Sequence, residues 1–436
     1  MKRYILAGAL ALTFGSGYAQ DVNKLIDEKD VDRIIKTLAS DEMEGRATFT
    51  KGIDKAATFI EGEFKAAGLQ PLKGETGFRQ NIPPMVKTRV VGAKLTINGV
   101  TVPADKFYAS SGASFSWADM TGVEIVKQTT ARGIRMGGRG GANGAAAPRK
   151  LLILLDSAAV QMFPAAKARA AGGSVSAKPS PDQIVTVVGS YGDIKSISLT
   201  AEVKTEAAPL FNVAGMIPGK SKADEFVVFS GHYDHLGIQK PAAGSQDSIF
   251  NGADDDASGT TAMISLAKYF NKVKNNERTL IFVAFCAEEI GGYGARHFTT
   301  TVNPDKVAAM FNIEMIGKDS KFGPNTAFIT GYERSDFGPI LQKNLEGTAF
   351  KFHPDPYIKE NLFYRSDNAT LAALGVPAHT ISTDMIDVDP HYHHASDDYS
   401  TLNVKNIIST IRAIALASRT IVSGKDTPTR IPKLER

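Results

Sequence analysis

Five short stretches of this chain carry imidazole and carboxylate side chains: His232-Tyr-Asp234, Asp254-Asp255-Asp256, Glu288-Glu289, Glu314, and the cluster from His391 to His394. They are spread over about 160 residues, so a fold that uses them together has to bring distant segments to one place. Imidazole and carboxylate are the ligands zinc takes when it keeps an open position for water, as catalytic sites do and closed structural sites do not. The set reads as a metal-dependent hydrolase.

From Ala207 onward the pattern is strand, loop, helix, repeated. Buried strands are expected at Phe226 to Ser230, Leu280 to Cys286, Ala308 to Met315, Ala327 to Thr330 and Val376 to Ser382. Helices are expected over Gly259 to Phe270 and near Phe337 to Leu345. A last helix carries Val404, Ile407, Ile408, Ile411 and Ile414 at helical spacing. Apolar strands alternating with helices indicate an α/β fold with a mixed, largely parallel central sheet flanked by helices on both faces. His232 follows one strand, Glu288-Glu289 another, and Glu314 closes a third. Ligands of open α/β sheets bind beyond the carboxyl ends of the strands, so these stretches converge on one rim.

The 436 residues are enough for a large core and more than one unit. Residues 1–19 have the three zones of a secretory signal: Lys2 and Arg3, an apolar run from Tyr4 to Phe14, and small residues at Gly17 and Ala19. The mature protein is expected to be exported, periplasmic or secreted, with no membrane span after signal removal. Loss of Lys2 and Arg3 takes the formal charge from +4 to +2, which excludes a strongly basic nucleic-acid binder. A single cysteine, Cys286, excludes an internal disulfide, and its apolar strand makes it a poor nucleophile. Residues 20–86 are read as the N-terminal part of the catalytic unit, with helices at Val31 to Leu38 and Asp54 to Ala67, the second stopped by Gly68. Residues 87–206 are read as a small, mostly β inserted domain with a flexible Gly/Arg-rich loop at 132–150. A solvated loop is preferred there over a site for an acidic partner. The catalytic unit resumes over 207–425, and 426–436 form a C-terminal tail.

Each ligand stretch also has a structural reading. His-x-Asp is often a surface turn, although Asp234 is placed to hold the second ring nitrogen of His232. The three aspartates could cap the following helix and oppose its dipole. Glu-Glu pairs are usually solvated, yet this one directly follows a buried strand. Glu314 stands in Phe311-Asn-Ile-Glu-Met-Ile, where an unpaired carboxylate is costly and calls for a cation.

These motifs resemble the M28 family of zinc peptidases, which includes co-catalytic aminopeptidases. The matching stretches are Ser230-Gly-His-Tyr-Asp-His, Asn251-Gly-Ala-Asp-Asp-Asp-Ala-Ser-Gly259, Phe285-Cys-Ala-Glu-Glu289, Tyr364-Arg-Ser-Asp-Asn368 and Tyr392-His-His-Ala-Ser-Asp397, with Leu38 to Arg46 and Gly68-Leu-Gln-Pro71 nearer the N-terminus. The insert's place suggests a protease-associated-like domain. Carried over, the family pattern implies two Zn2+ ions bridged by Asp255. His232 and Glu314 would complete one position, Glu289 and His393 the other. His393 is taken because Asp397 follows it by four residues. Asp234 would orient His232, and Glu288 would be the general base. The two glutamates would part because successive side chains of extended chain point opposite ways. Two departures stand out: Glu314 where many relatives have Asp, and Asn368 where the Arg-Ser-Asp motif often ends in His.

The implied activity is hydrolysis of N-terminal residues from peptides through a metal-bridging water. On the same scaffold, carboxypeptidase or dipeptidase activity, a single-zinc glutaminyl cyclase, or a catalytically silent binding protein are the alternatives. The complete ligand set argues against the last two. A calcium-stabilised binding protein is disfavoured because histidine is a poor calcium ligand. Peptides are the expected partners, and the sequence does not give an oligomeric state.

Overall fold

The computed structural model describes residues 22–129, 148–241 and 244–434. The signal expected at 1–19 and nearly all of the loop expected at 132–150 lie outside them. The chain divides into two compact units, one made of the residues up to Ile82 and from Leu210 onward, the other of Pro83–Pro209.

The larger unit is built on a nine-stranded mixed sheet. Its main strands are Phe211–Ile217 (β1), Lys222–His232 (β2), Arg278–Phe285 (β3), Val307–Ile313 (β4), Thr326–Ile329 (β5), Lys351–Pro354 (β6) and Ala378–Ser382 (β7). In space they run β1, β3, β2, β4, β7, β5, β6, and the short strands Gln70–Pro71 and Arg79–Asn81 both pair with β1. The centre is parallel, from β3 through β2 and β4 to β7, while β1 and β5 join it antiparallel. Every residue of β3 and β4 is buried, as strands covered on both faces require.

Alternation along the strands divides the core. Phe229 stacks on Phe282 and Phe311 at ring-centroid distances of 5.3 and 4.8 Å and meets Phe270 of helix Gly259–Val273 at 5.4 Å. Val228, Ile281, Val283 and Met310 point the other way, into a cluster with Phe298 of helix Tyr293–Thr301 and Leu371. Full burial of such a side chain contributes roughly 1.5–3 kcal/mol, so the three central strands form a rigid platform. Helices Glu28–Leu38, Lys51–Ala67 and Val404–Ala417 complete the unit, the second ending on left-handed Gly68 as its sequence requires.

The smaller unit holds two sheets. One pairs the long strands Met85–Ile97 and Ile197–Ala208 antiparallel; the other sets Lys150–Leu155 parallel to both Val123–Gln128 and Gln183–Val188. Their shared core contains Leu95, Trp117, Leu152, Val185 and Leu199. It also contains a helix, Phe163–Gly172, that sequence periodicity does not announce. Its alanines favour helix, but Phe163 is its one buried residue, so it has no apolar stripe to detect.

Candidate metal centre

Four adjacent strands deliver the site. His232 is the last residue of β2, Glu288 and Glu289 follow β3, Glu314 follows β4, and the chain leaving β7 lies beside them. Parallel neighbours point their carboxyl ends the same way, which is why separate stretches meet.

The centre is Asp255, 2% exposed, whose two oxygens face opposite ways. Oδ1 lies 3.0 Å from Nε2 of His232; Oδ2 lies 3.2 Å from Nε2 of His393 and 3.8 Å from Nδ1 of His235. Glu289 reaches the same two rings, with Oε1 2.8 Å from Nδ1 of His235 and Oε2 3.2 Å from Nε2 of His393. Ligand atoms of His232, Asp255 and Glu314 lie within 4.8 Å of one another, and so do those of His235, Asp255 and Glu289. Two candidate metal-binding clusters therefore share one carboxylate. All five residues expected as ligands are gathered here.

The donor set suits a cation. Nδ1 of His232 lies 3.0 Å from the carbonyl oxygen of Asp234, which places a proton on Nδ1 and leaves the Nε2 lone pair aimed at Asp255. Nε2 of His232 and Nε2 of His235 are buried without a hydrogen-bond partner among the described residues. Nε2 of His232, facing Asp255, and Nδ1 of His235, facing Asp255 and Glu289, are the ring nitrogens that fit zinc. The same carboxylates attract positive charge, which a proton on each ring supplies when no cation is bound. Burial works against a charged His232, yet Asp255 and Asp256 outweigh it and hold the ring well above its ordinary range. Burial likewise opposes a charged His393, but Asp255 and Glu289 raise it to about 10. For Asp255, burial is overcome by the three imidazoles, which keep its carboxyl well below the usual range.

The aspartates flanking Asp255 are structural. Asp256 accepts the backbone N–H groups of His232, Gly259 and Met315 at 3.0, 3.0 and 3.1 Å, capping the following helix as one reading of the sequence allowed. Asp254 accepts the Gly317 N–H at 2.7 Å. Gly259 is needed because a Cβ there would lie 2.0 Å from the carbonyl of Ile313.

Two expectations about local geometry are corrected. The Asp234 carboxylate does not hold the ring of His232: its nearer oxygen is 3.9 Å from Nδ1, the Asp234 main-chain carbonyl makes that contact, and Oδ1 accepts the N–H of Glu288 at 3.1 Å. Burial raises the Asp234 carboxyl to about 7 against the pull of His232. Nor do Glu288 and Glu289 part through strand alternation, since β3 ends at Phe285 and Ala287 takes a left-handed φ of 61°. A turn sends Glu289 to the histidines and Glu288 to the cleft. There burial, with Glu314 and Asp367 near, holds the Glu288 carboxyl well above its ordinary range despite His232.

Other motif residues find scaffold roles. Asn368 is fully buried and donates to the carbonyls of Phe363 and Ala378 while accepting from Thr380, so it ties a loop to β7 and does not line the cleft. Within the histidine cluster His391 and His394 are bound locally to Ser396 and the Tyr392 carbonyl; His393, at φ 58°, turns inward. Cys286 is buried and its thiol is pushed up by burial.

Sequence reasoning passed over His235 and Arg46. His235 stands three residues beyond His232 within a motif already noted, and that spacing was the available signal. Arg46 is fully buried and donates to the carbonyls of Leu38, Tyr233, Asn251 and Gly252, clamping the two loops that carry His232 and Asp255.

The cleft is lined by Asp255, Glu288, Glu314 and His393 at the metal centre and by Met315, Phe328, Leu362 and Ile386 along its walls.

Residues 212–418 match the profile of Peptidase family M28. A probable zinc metalloprotease of Phaeosphaeria nodorum is 32% identical over 117 residues, which is 24% of this chain and 23% of that protein. The aligned part thus spans about a quarter of that relative. Among solved structures, an aminopeptidase from Aneurinibacillus sp. strain AM-1 aligns over 96% of this chain and 97% of its own, with a TM-score of 0.56 and 18% identity. A zinc aminopeptidase from Bacillus subtilis aligns over 94% and 99%, with 0.55 and 17%. These likenesses are of fold: the chain has the M28 zinc-peptidase fold with two candidate metal-binding clusters. The profile begins at Asn212, outside Pro83–Pro209, and nothing in these matches supports the protease-associated-like reading of that unit.

Proposed function

We propose that this chain, built on the M28 zinc-peptidase fold, is an exported zinc-dependent exopeptidase that removes N-terminal residues from peptides. The observation that carries the reading is the bridging position of Asp255, one oxygen toward His232 and the other toward His393. His232, Asp255 and Glu314 would hold one Zn2+; Asp255, Glu289 and His393 would hold the second, with His235 beside it. When bound, such a pair acidifies water and polarises the scissile carbonyl.

The chain's own part is proton handling and positioning. Glu288 lines the cleft beside both clusters, and its raised affinity for a proton suits a group that takes one from water and passes it to the leaving amine. Asp234 fixes the Glu288 backbone by accepting its N–H and, through its own carbonyl, fixes the ring of His232. The apolar walls would exclude water from the substrate side chain.

One observation favours a second reading. Arg365 also lines the cleft, and a guanidinium there would suit the terminal carboxylate of a carboxypeptidase or dipeptidase substrate. Peptides blocked at one end or the other, with metal counted on the same sample, separate the two. Hydrolysis of free-amine peptides with blocked carboxyl ends is expected; hydrolysis confined to peptides with a free carboxylate would reverse the assignment. Export rests on the sequence of residues 1–19, and among the described residues no helix is long and apolar enough to cross a membrane. N-terminal sequencing of protein recovered outside the cytoplasm, expected to begin at Gln20, tests it.

A further inference from the structure

We propose that the cleft beside the metal centre takes the side chain of a basic N-terminal residue, lysine or arginine, and that Asp384 selects it; this rests on the aminopeptidase reading above. The cleft walls are apolar, as an aliphatic stem requires, but the lining also includes the carboxylate of Asp384. That residue is 3% exposed, and neither of its oxygens has a hydrogen-bond partner among the described residues. An unpaired buried carboxylate is costly. A ligand that brings its own cation relieves that cost, and an uncharged side chain of the same length does not.

The neighbours of Asp384 are already committed. Ligand atoms of Asp254, Asp384 and Asp389 lie within 4.8 Å of one another. Lys318 lies 2.5 Å from Asp389 and 3.6 Å from Asp254, Asp254 accepts the Gly317 N–H, and Asp389 accepts the His391 N–H at 3.0 Å. One ammonium thus pairs with two of the three carboxylates, and Asp384 is the one left over. Consistently, burial, the charges of Asp254 and Asp389 and a proton shared with the Asp389 carboxylate push its carboxyl up to about 8 against the pull of Lys318. The other cation of the cleft, Arg365, is 45% exposed and turned to Glu360 at 3.5 Å.

Strands β4 and β7 run parallel, and the Glu314 N–H is bound to the carbonyl of Ile381. Asp384 stands three residues past Ile381, two beyond the strand end at Ser382. The stem would cross Met315 and Phe328, as long cationic side chains do when they lay their methylenes on apolar surface.

The test compares hydrolysis of lysyl, arginyl, norleucyl and leucyl amides by the zinc-loaded full chain, together with binding of free L-lysine and L-norleucine by calorimetry. Lysine is expected to exceed norleucine by roughly 10- to 100-fold in kcat/KM and in affinity, the usual worth of a hydrogen bond to a charged group. In Asp384→Asn both ratios should fall toward one, while Asp384→Glu keeps a preference for the cation. Equal or better use of norleucine by the unmodified protein would overturn the proposal. So would a third equivalent of metal that Asp384→Asn loses, because the carboxylate would then already be occupied. If no amide is cleaved yet lysine binds over norleucine through Asp384, the pocket assignment stands and the aminopeptidase reading fails.

Discussion

The carboxylate of Asp397 accepts the backbone N–H of Asp255 at 3.1 Å, across 142 residues of sequence. It also takes the N–H of Asp254 at 3.1 Å. The loop that supplies His393 therefore braces the loop that supplies Asp255, and the spacing from His393 to Asp397 has a physical reason. Asp397→Ala should weaken metal binding by about 10- to 100-fold, the usual effect of removing a group that orients a ligand, without removing any ligand. Competition against a chelating dye measures it, and unchanged affinity would show that the brace has no bearing on the metal.

Glu288→Gln keeps the side chain's shape and removes its capacity to take a proton. Metal content should stay at the unmodified level, while kcat drops by at least about 100-fold, the typical contribution of a general base. A variant of near-normal rate would transfer the role to another group, and elemental analysis of the same preparation guards against metal loss as the cause.

The two clusters should respond to different histidines. His232→Ala removes the ring that faces Oδ1 of Asp255, and His393→Ala removes the one that faces Oδ2 of Asp255 and Oε2 of Glu289, each at 3.2 Å. Each variant is expected to lose one class of metal and keep the other, read as two distinct steps in a metal titration. Asp255→Ala, which takes away the shared carboxylate, should disturb both steps.

Stability of the metal-free protein should fall as pH rises. Burial, with neighbouring Asp254, lifts Asp397 to about 7, and burial lifts Asp254 itself to about 6, against an ordinary value of 3.8 for each. A carboxyl that binds its proton more tightly when folded favours the folded state below its unfolded pKa and loses that contribution as pH climbs through its folded value. The melting temperature of chelator-treated protein should therefore decline from pH 4 to about 7. Zinc should flatten the decline, because a cation bound in the neighbouring centre favours the ionised forms. A melting temperature that rises over this window without metal would contradict the electrostatics.

Arg46 is a stability residue for the site. Its guanidinium is buried and serves four carbonyls from three segments of the chain. Arg46→Ala strips each of its partner and should cost about 3 kcal/mol or more, seen as a lower urea midpoint. Arg46→Lys, with three donors on one nitrogen instead of a planar fork, should recover only part of it.

Much of this was legible in the chain itself. The strands of the central sheet are continuous apolar runs, so their existence and the α/β class follow from burial on both faces. Three of the five ligand stretches could be read because each follows or closes such a run, and all five because chemistry limits which residue types bind zinc. His235 lay unassigned in plain view, since spacing along a chain does not say which way a ring turns after the strand has ended.

What the tertiary structure alone decided is direction. Only packing turns Glu289 toward the histidines and Glu288 toward the cleft, through the left-handed bend at Ala287. The family resemblance singled out Asp255 among the three aspartates, but only packing gives Asp254 and Asp256 their backbone partners. The unpartnered Asp384 and the fourfold clamp of Arg46 are likewise invisible in sequence, because a buried charge is defined by the groups around it, and those arrive from strands and loops up to 200 residues away.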